Sequence, residues 1–418
     1  MDQQLALNIM LAGESVFLTG PAGSGKTYVL NQFIKRARKE GKVLAVTATT
    51  GLAATHLNGT TIHAWSSIGV RDELEPEFFE NMRKDRKKMI KEADILVIDE
   101  VSMLHDYRLD MIDQICRHVR KTDAPFGGLQ VILCGDFFQL PPVNRNDSRP
   151  GGFVVRSNAW DELEPVICYL QEQHRQDDTT FLEILNAMRA GDVRRRHAEA
   201  LLERVDAELP SHHEVTELHT VNVDVDAMNA RKLAALTTKE HRYTVSTAGA
   251  ANFVETLKRS CLAVEDLVLK EGALVMFIKN NPEQKTVNGS LGTVVDFEPG
   301  TDYPIVKLLS GREVIVEPDT WELRDGDKKR ASLAQIPLRL AWAITVHKSQ
   351  GMTLDAAKID LRKAFVEGMG YVALSRVKSL QTLSLVGINR MALQISNEAL
   401  TVDQMLRSRA ERDIARFS

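Results

Sequence analysis

The chain has 418 residues, with 53 Lys and Arg against 57 Asp and Glu, a net charge of −4. That balance excludes a polycation that coats nucleic acid through its overall field, so any such contact must come from a local groove. Cys116, Cys134, Cys168 and Cys261 stand far apart without zinc spacing or a disulfide framework, no apolar run reaches membrane-spanning length and no leader is recognisable, so the expectation is a cytoplasmic protein with no membrane partner.

Residues 2–12 have helical spacing and lead into the apolar strand Ser15–Thr19. The next stretch, Gly20-Pro21-Ala22-Gly23-Ser24-Gly25-Lys26-Thr27, opens a second helical pattern from Tyr28. Strand, glycine-rich turn and helix are the context of a phosphate-binding loop. Its backbone N–H groups and the positive helix end suit a phosphate chain. Lys26 is expected on the β- and γ-phosphates of ATP, and the Thr27 hydroxyl on Mg²⁺. Upstream, either Gln3 or Gln4 offers an amide donor and acceptor to an adenine edge.

A buried-type strand, Val43–Thr47, runs into Ala48-Thr49-Thr50-Gly51, where hydroxyls and small residues suit either a close nucleic-acid phosphate or a helix cap. Gly59-Thr60-Thr61-Ile62-His63-Ala64-Trp65 mixes polar groups with an aromatic. The charged run at about 70–92 reads either as a solvated helix or as a basic face toward DNA. The apolar strand Ile95–Ile98 ends in Asp99-Glu100, with Asp99 expected in the Mg²⁺ shell and Glu100 polarising the attacking water. Ser102 to Arg120 has a helical apolar stripe, and the strand Leu129–Cys134 ends in Gly135-Asp136-Phe137-Phe138-Gln139-Leu140-Pro141-Pro142. Gln139 is placed to sense the γ-phosphate, and the apolar segment around Pro142 to meet bases.

The phosphate loop, Asp99-Glu100-Val101-Ser102-Met103, Phe126-Gly127-Gly128-Leu129-Gln130 and the segment 135–142 together closely resemble the Pif-type DNA helicases of superfamily 1B, relatives of the RecD-like enzymes. Ser102–Thr122 is similar to that family's signature segment, and by spacing Gln3 rather than Gln4 matches its adenine-reading glutamine. The resemblance continues through Leu170-Gln171-Glu172-Gln173-His174-Arg175-Gln176, through Ile344–Thr353 and through Tyr371–Val377. It implies a phosphate contact for Arg175, an arginine finger for Arg376, nucleotide contacts at Gln350 and Gly351, and DNA contacts at Thr49, Thr50, Thr61, His63, Pro142, Thr345, His347 and Lys348.

The implied fold is α/β, with two RecA-like P-loop NTPase domains and a small SH3-like β domain inserted in the second. The expected bounds are 1–164 for the first motor domain, 165–238 with 333–418 for the second, and 239–332 for the insertion. Inside the insertion, Ile305–Leu308 and Val314–Val316 flank Ser310-Gly311-Arg312, a hairpin signal. The implied activity is ATP-dependent 5′-to-3′ movement on single-stranded DNA by a monomer that opens duplex at single-strand junctions, extending to folded G-rich DNA. The alternative is a DNA-stimulated ATPase subunit, RecD-like, that reels DNA without opening it. A small-molecule kinase shares the phosphate loop but leaves the two downstream arginine segments unexplained. The arginine-rich C-terminal segment reads as a surface helix and is assigned no function.

Overall fold

The computed structural model describes the chain apart from residues 70, 143, 145–148, 173–177, 210–214, 221–224, 262, 282, 285, 287, 309, 326–327 and 418. It divides into two compact units: 1–174, 322–331 and 397–418 form the first, and 175–321 with 332–396 form the second.

In the first unit, β1 (Val16–Thr19), β2 (Leu44–Ala48), β3 (Thr60–Thr61), β4 (Ile95–Asp99), β5 (Gln130–Cys134) and β6 (Val166–Tyr169) form one parallel sheet in the order β3-β2-β4-β5-β1-β6. Apart from the edge strand β3, these strands are short and mostly apolar, as a sheet covered on both faces requires. Alternation along a strand sends side chains to opposite faces. Val16 and Leu18 join a cluster with Ile9 and Met10 of α1 (Gln3–Leu11) and with Leu30 and Phe33 of α2 (Lys26–Lys39). Phe17 meets the Trp160 ring, 5.1 Å away and nearly edge-on.

The charged run contains α3 (Lys84–Glu92). Met82 and Ile90 are buried, Phe79 stacks on His118 at 4.1 Å, and Arg83–Asp85 (2.8 Å) and Lys88–Glu92 (3.5 Å) pair locally. The charges therefore decorate a packed segment. His118 lies on α4 (Asp106–Arg120), which buries Leu109, Ile112, Ile115 and Cys116. Asp113 of α4 accepts the Phe126 N–H at 2.6 Å, and Arg120 donates to the Gly127 carbonyl at 2.6 Å. These bonds fasten the Phe126-Gly127-Gly128 turn to the helix.

The second unit holds β7 (Thr216–His219). An antiparallel sheet follows, made of β8 (Leu274–Phe277), β9 (Leu291–Phe297), β10 (Pro304–Leu308), β11 (Glu313–Ile315) and β12 (Leu338–Leu340), in the order β11-β10-β9-β8-β12. Then β13 (Ala343–Thr345), β14 (Ala357–Leu361) and β15 (Leu383–Ile388) join β7 in a parallel sheet ordered β13-β7-β14-β15. The expected hairpin is present: Val306 faces Val314, and the Gly311 N–H closes the turn on the Leu308 carbonyl at 2.8 Å.

Three boundaries differ from those expected of the sequence. Val166–Tyr169 is the sixth strand of the first sheet, pairing with Val16–Thr19, so the first unit runs past 164. The C-terminal helix Asn397–Phe417 belongs with the first unit and not the second. Its Asp413 accepts the Ile167 N–H at 2.8 Å, Asp403 accepts the Tyr169 hydroxyl at 2.7 Å, and Arg409 donates to the Pro165 carbonyl at 3.1 Å. β6 is an edge strand, and its outward polar groups need such partners. Finally, Leu340 pairs with Val275, so the small antiparallel sheet continues beyond 332.

Candidate functional site

The phosphate loop leaves the carboxyl end of β1. Gly20 has φ +148°, and a Cβ there would sit 2.6 Å from the Leu170 carbonyl oxygen and 2.9 Å from Ser24 Oγ. Gly25 caps α2 at φ +85°, and a Cβ there would fall on the side-chain amide of Gln3. Glycine is required at both positions by left-handed or extended backbone that side chains do not tolerate. Lys26 Nζ donates to the Gly20 and Pro21 carbonyls at 2.8 and 3.0 Å, which holds the ammonium across the loop. Ser24 Oγ is buried with no partner, a polar atom turned into a cradle lined by backbone. Gln3 Nε2 donates to the Ser24 carbonyl at 3.1 Å, whereas Gln4 bonds Asn8 on the exposed side of α1 at 2.8 Å. Geometry thus favours Gln3 of the two glutamines.

Parallel pairing brings the rest of the site level with the loop. Leu18 lies beside Cys134 and Ile98 beside Leu133, so the carboxyl ends of β1, β5 and β4 form one edge. In open α/β sheets that edge is where ligands bind. Asp99 is buried there and accepts the Glu100 N–H at 2.9 Å. Burial pushes its carboxyl up from the usual carboxylate range, while a bond with Cys134, the Glu100 amide and the Lys26 charge pull the other way. Glu100 has left-handed backbone, φ +55°, rare for a non-glycine residue. Thr49 holds it there: its hydroxyl donates to the Glu100 carbonyl at 2.8 Å and its N–H to the Asp99 carbonyl at 3.1 Å. Strain held by surrounding bonds is a mark of functional sites. Gln139 is buried beside Asp136, its N–H closing a turn on the Asp136 carbonyl at 3.0 Å.

Thr27, in the first turn of α2, is exposed. A hydroxyl and a carboxylate are hard oxygen donors of the kind Mg²⁺ takes together with phosphate oxygens and water. Among the described residues no group of three or more His, Cys, Asp or Glu side chains would hold an ion alone. The residues present therefore fit a metal shared with a phosphate ligand.

Apart from Pro142, the other candidates of the first unit follow the carboxyl ends of β2 and β3, where Ala48 is level with both Asp99 and Thr61. Thr50 and Thr61 cap short helices, accepting from the Ala53 and Ala64 N–H groups at 3.2 and 3.3 Å. His63 lies 3.3 Å from Arg108 Nη1. Burial, then the charge of Arg108, then His105 lower its pKa to about 4, so the ring is a neutral acceptor at neutral pH. Arg108 is held by Asp72 at 3.0 Å, and the Tyr107 hydroxyl donates to the same carboxylate at 2.8 Å. Asp72, Tyr107 and Arg108 carried no individual signal in the sequence, because nothing in a helical stripe marks which polar residue meets a distant histidine. Pro142 is buried.

In the second unit, Arg376 is 1% exposed. Its guanidinium donates to the Val372 carbonyl at 2.8 Å, to Ser375 Oγ at 2.8 Å, and to the Ser349 and Met352 carbonyls at 3.4 Å. The structure thus joins Arg376 to the segment that carries Gln350 and Gly351. Thr345 Oγ1 accepts the Lys348 N–H at 3.3 Å, and His347 and Lys348 are exposed. Arg175 lies outside the described residues. Among the described residues no helix is long and apolar enough to cross a membrane.

Comparison with known proteins finds related chains along most of this chain's length. Residues 2–199 match the model of the PIF1-like helicase family, and 252–297 match the 2B domain of the DNA helicase Pif1. The chain is 42% identical to the ATP-dependent DNA helicase Pif1 of Psychrobacter sp. (strain PRwf-1), over 96% of this chain and 70% of that protein. It is 37% identical to the ATP-dependent DNA helicase PIF1 of Homo sapiens, over 96% of this chain but only 62% of the human protein. The Bacteroides sp. Pif1 structure in complex with ADP-AlF4 superposes with a TM-score of 0.84 at 30% identity, covering 97% and 96% of the two chains. The Bacteroides Pif1 structure with ADP-AlF3 and single-stranded DNA gives 0.66 at 32% identity over the same shares.

Proposed function

The chain belongs to the PIF1-like helicase family, and from that premise we propose that it is an ATP-dependent DNA helicase moving 5′ to 3′ on single-stranded DNA and opening duplex ahead of it. The observation that carries this reading is the meeting of the phosphate loop, Asp99, Glu100 and Gln139 along one carboxyl edge of the first sheet. ATP lays its phosphates in the loop, and Lys26 exchanges the Gly20 and Pro21 carbonyls for β- and γ-oxygens. Gln3, fixed to the loop at Ser24, reads the adenine. Glu100 polarises the attacking water, and Gln139 senses the γ-phosphate. Thr27 and Asp99 would hold Mg²⁺, which when bound neutralises charge on the phosphate oxygens. Arg376 and Arg175 contact the phosphates as charge builds in the transition state, a role suited to a planar, permanently charged fork. Thr50, Thr61, His63, Pro142, Thr345, His347 and Lys348 line the path of the single strand. Thr49 acts on that path through Glu100, since its hydroxyl is engaged there.

Two duplexes test the reading, one with a 5′ single-stranded tail and one with a 3′ tail. The expected result is ATP-dependent opening of the 5′-tailed duplex alone. Opening of the 3′-tailed duplex alone would overturn the polarity. DNA-stimulated hydrolysis with neither duplex opened would replace the helicase by a reeling ATPase.

A further inference from the structure

Phe365 is 62% exposed, the most exposed large apolar side chain among the described residues. Its loop is nevertheless tightly held. Asn389 Nδ2 donates to the Arg362 and Ala364 carbonyls at 3.1 and 2.9 Å, and the Ala364 N–H donates to the Leu361 carbonyl at 3.3 Å. Ala364 is buried, while Lys363 and Phe365 on either side of it are exposed. Arg362 is occupied by Asp360, with bonds of 3.0 and 2.8 Å. A pinned turn therefore presents one exposed aromatic ring and one exposed lysine to solvent.

The position of this turn gives the ring a ligand class. It leaves the carboxyl end of β14, and Asp360 stands level with His219 of β7. His219 also stands level with Thr345 of β13, from which the exposed His347 and Lys348 follow. Two strand spacings separate Thr345 from Asp360, roughly 10 Å. The aromatic turn and the Thr345–Lys348 turn thus rise from the same edge of one parallel sheet, with β7 between them. An exposed aromatic beside cations that follow a phosphate backbone is how single strands are held without sequence preference, because every base offers a π-face. A phenyl ring has no polar handle with which to choose among bases.

We propose that Phe365 is a base-stacking platform for the single strand tracked by Thr345, His347 and Lys348, with Lys363 on the adjoining phosphate. The proposal rests on the helicase reading above. The test uses the full chain and a fluorescent oligothymidylate, with Phe365→Ala, Phe365→Leu and Phe365→Trp compared by anisotropy. Loss of one stacked base should weaken binding about 5- to 100-fold in the alanine and leucine variants. Phe365→Trp should bind within about threefold of wild type, with its added indole fluorescence quenched by the oligonucleotide. DNA-free ATP turnover and the KM for ATP should be unchanged in all three, which also shows that they fold. Wild-type binding by Phe365→Ala, or rescue by leucine as complete as by tryptophan, would overturn the stacking role while leaving the helicase reading intact. A shifted KM for ATP without DNA would place the ring at the nucleotide instead. A wild-type chain that does not bind the oligonucleotide would overturn both.

Discussion

The carboxyl edges of the two parallel sheets have the same architecture and hold their chemistry in different ways. On the first, the reactive geometry is set by backbone: glycines at φ +148° and +85°, a glutamate at φ +55°, and a lysine tied to loop carbonyls. On the second, the turns that leave the strands carry side chains: His347, Lys348 and Phe365 stand in solvent. A backbone cradle suits a ligand whose shape never varies, such as a triphosphate. Projecting side chains suit a polymer that slides and changes base at every step. The fold supplies the edge, and the loops decide which kind of ligand it takes.

The largest loss is expected at Arg376, whose carbonyl accepts the Leu354 N–H ahead of the amino end of β14. Removing an arginine that stabilises phosphoryl transfer costs about 10³–10⁵ in rate. Arg376→Ala should therefore lose DNA-stimulated turnover on that scale while nucleotide affinity, followed by a fluorescent ATP analogue, stays near wild type. Arg376→Lys should recover little, since a point charge cannot reproduce the planar fork presented to phosphate oxygens. Turnover that survives in Arg376→Ala would reduce the residue to a clasp on the 349–352 segment.

A smaller effect sharpens the backbone side of the comparison. Gly25→Ala places a methyl where the Gln3 amide lies and forces left-handed backbone on alanine. Displacing the loop by such a step should lower kcat/KM for ATP about 10- to 100-fold. Gln4→Ala, on the exposed face of α1, should leave it unchanged. Equal losses in the two variants would show that the helix, and not the amide contact, matters.

The smallest effect is in pH dependence. The pKa of folded His63 is lowered to about 4, whereas an unfolded histidine titrates near 6.5. The unfolded chain then binds the proton first, so stability is intact above about pH 6.5 and declines as pH falls toward 4. The loss through this residue should be roughly 1–3 kcal/mol over that window, read by urea unfolding at successive pH values. His63→Gln should flatten the profile. An unchanged slope would mean that burial beside Arg108 does not hold the ring neutral.

The backbone side was the more legible in sequence. Eight consecutive residues announce the phosphate loop, and Asp99-Glu100 ends an unmistakable apolar strand. The hairpin at Gly311 was readable for the same local reason. What escaped depends on partners far along the chain. Family spacing picks Gln3 over Gln4, but the bonds that separate the two, to Ser24 and to Asn8, carry no local mark. Nothing local to Thr49 says that its hydroxyl will meet the Glu100 carbonyl. The C-terminal helix has ordinary helical periodicity, which cannot say that Asp413 will meet the free N–H of Ile167. Leu338–Leu340 carries no mark of which sheet it joins.

The central claim is that hydrolysis at the phosphate loop of the first unit drives the protein along single-stranded DNA. Lys26→Ala removes the one charge held across that loop and leaves the second sheet edge untouched. The measurement is steady-state ATP turnover with and without oligothymidylate, alongside oligonucleotide affinity, for wild type and Lys26→Ala. The account predicts strong stimulation by DNA in the wild type, and in the variant no detectable turnover with oligonucleotide affinity retained. Near-normal DNA-stimulated turnover in Lys26→Ala would contradict it.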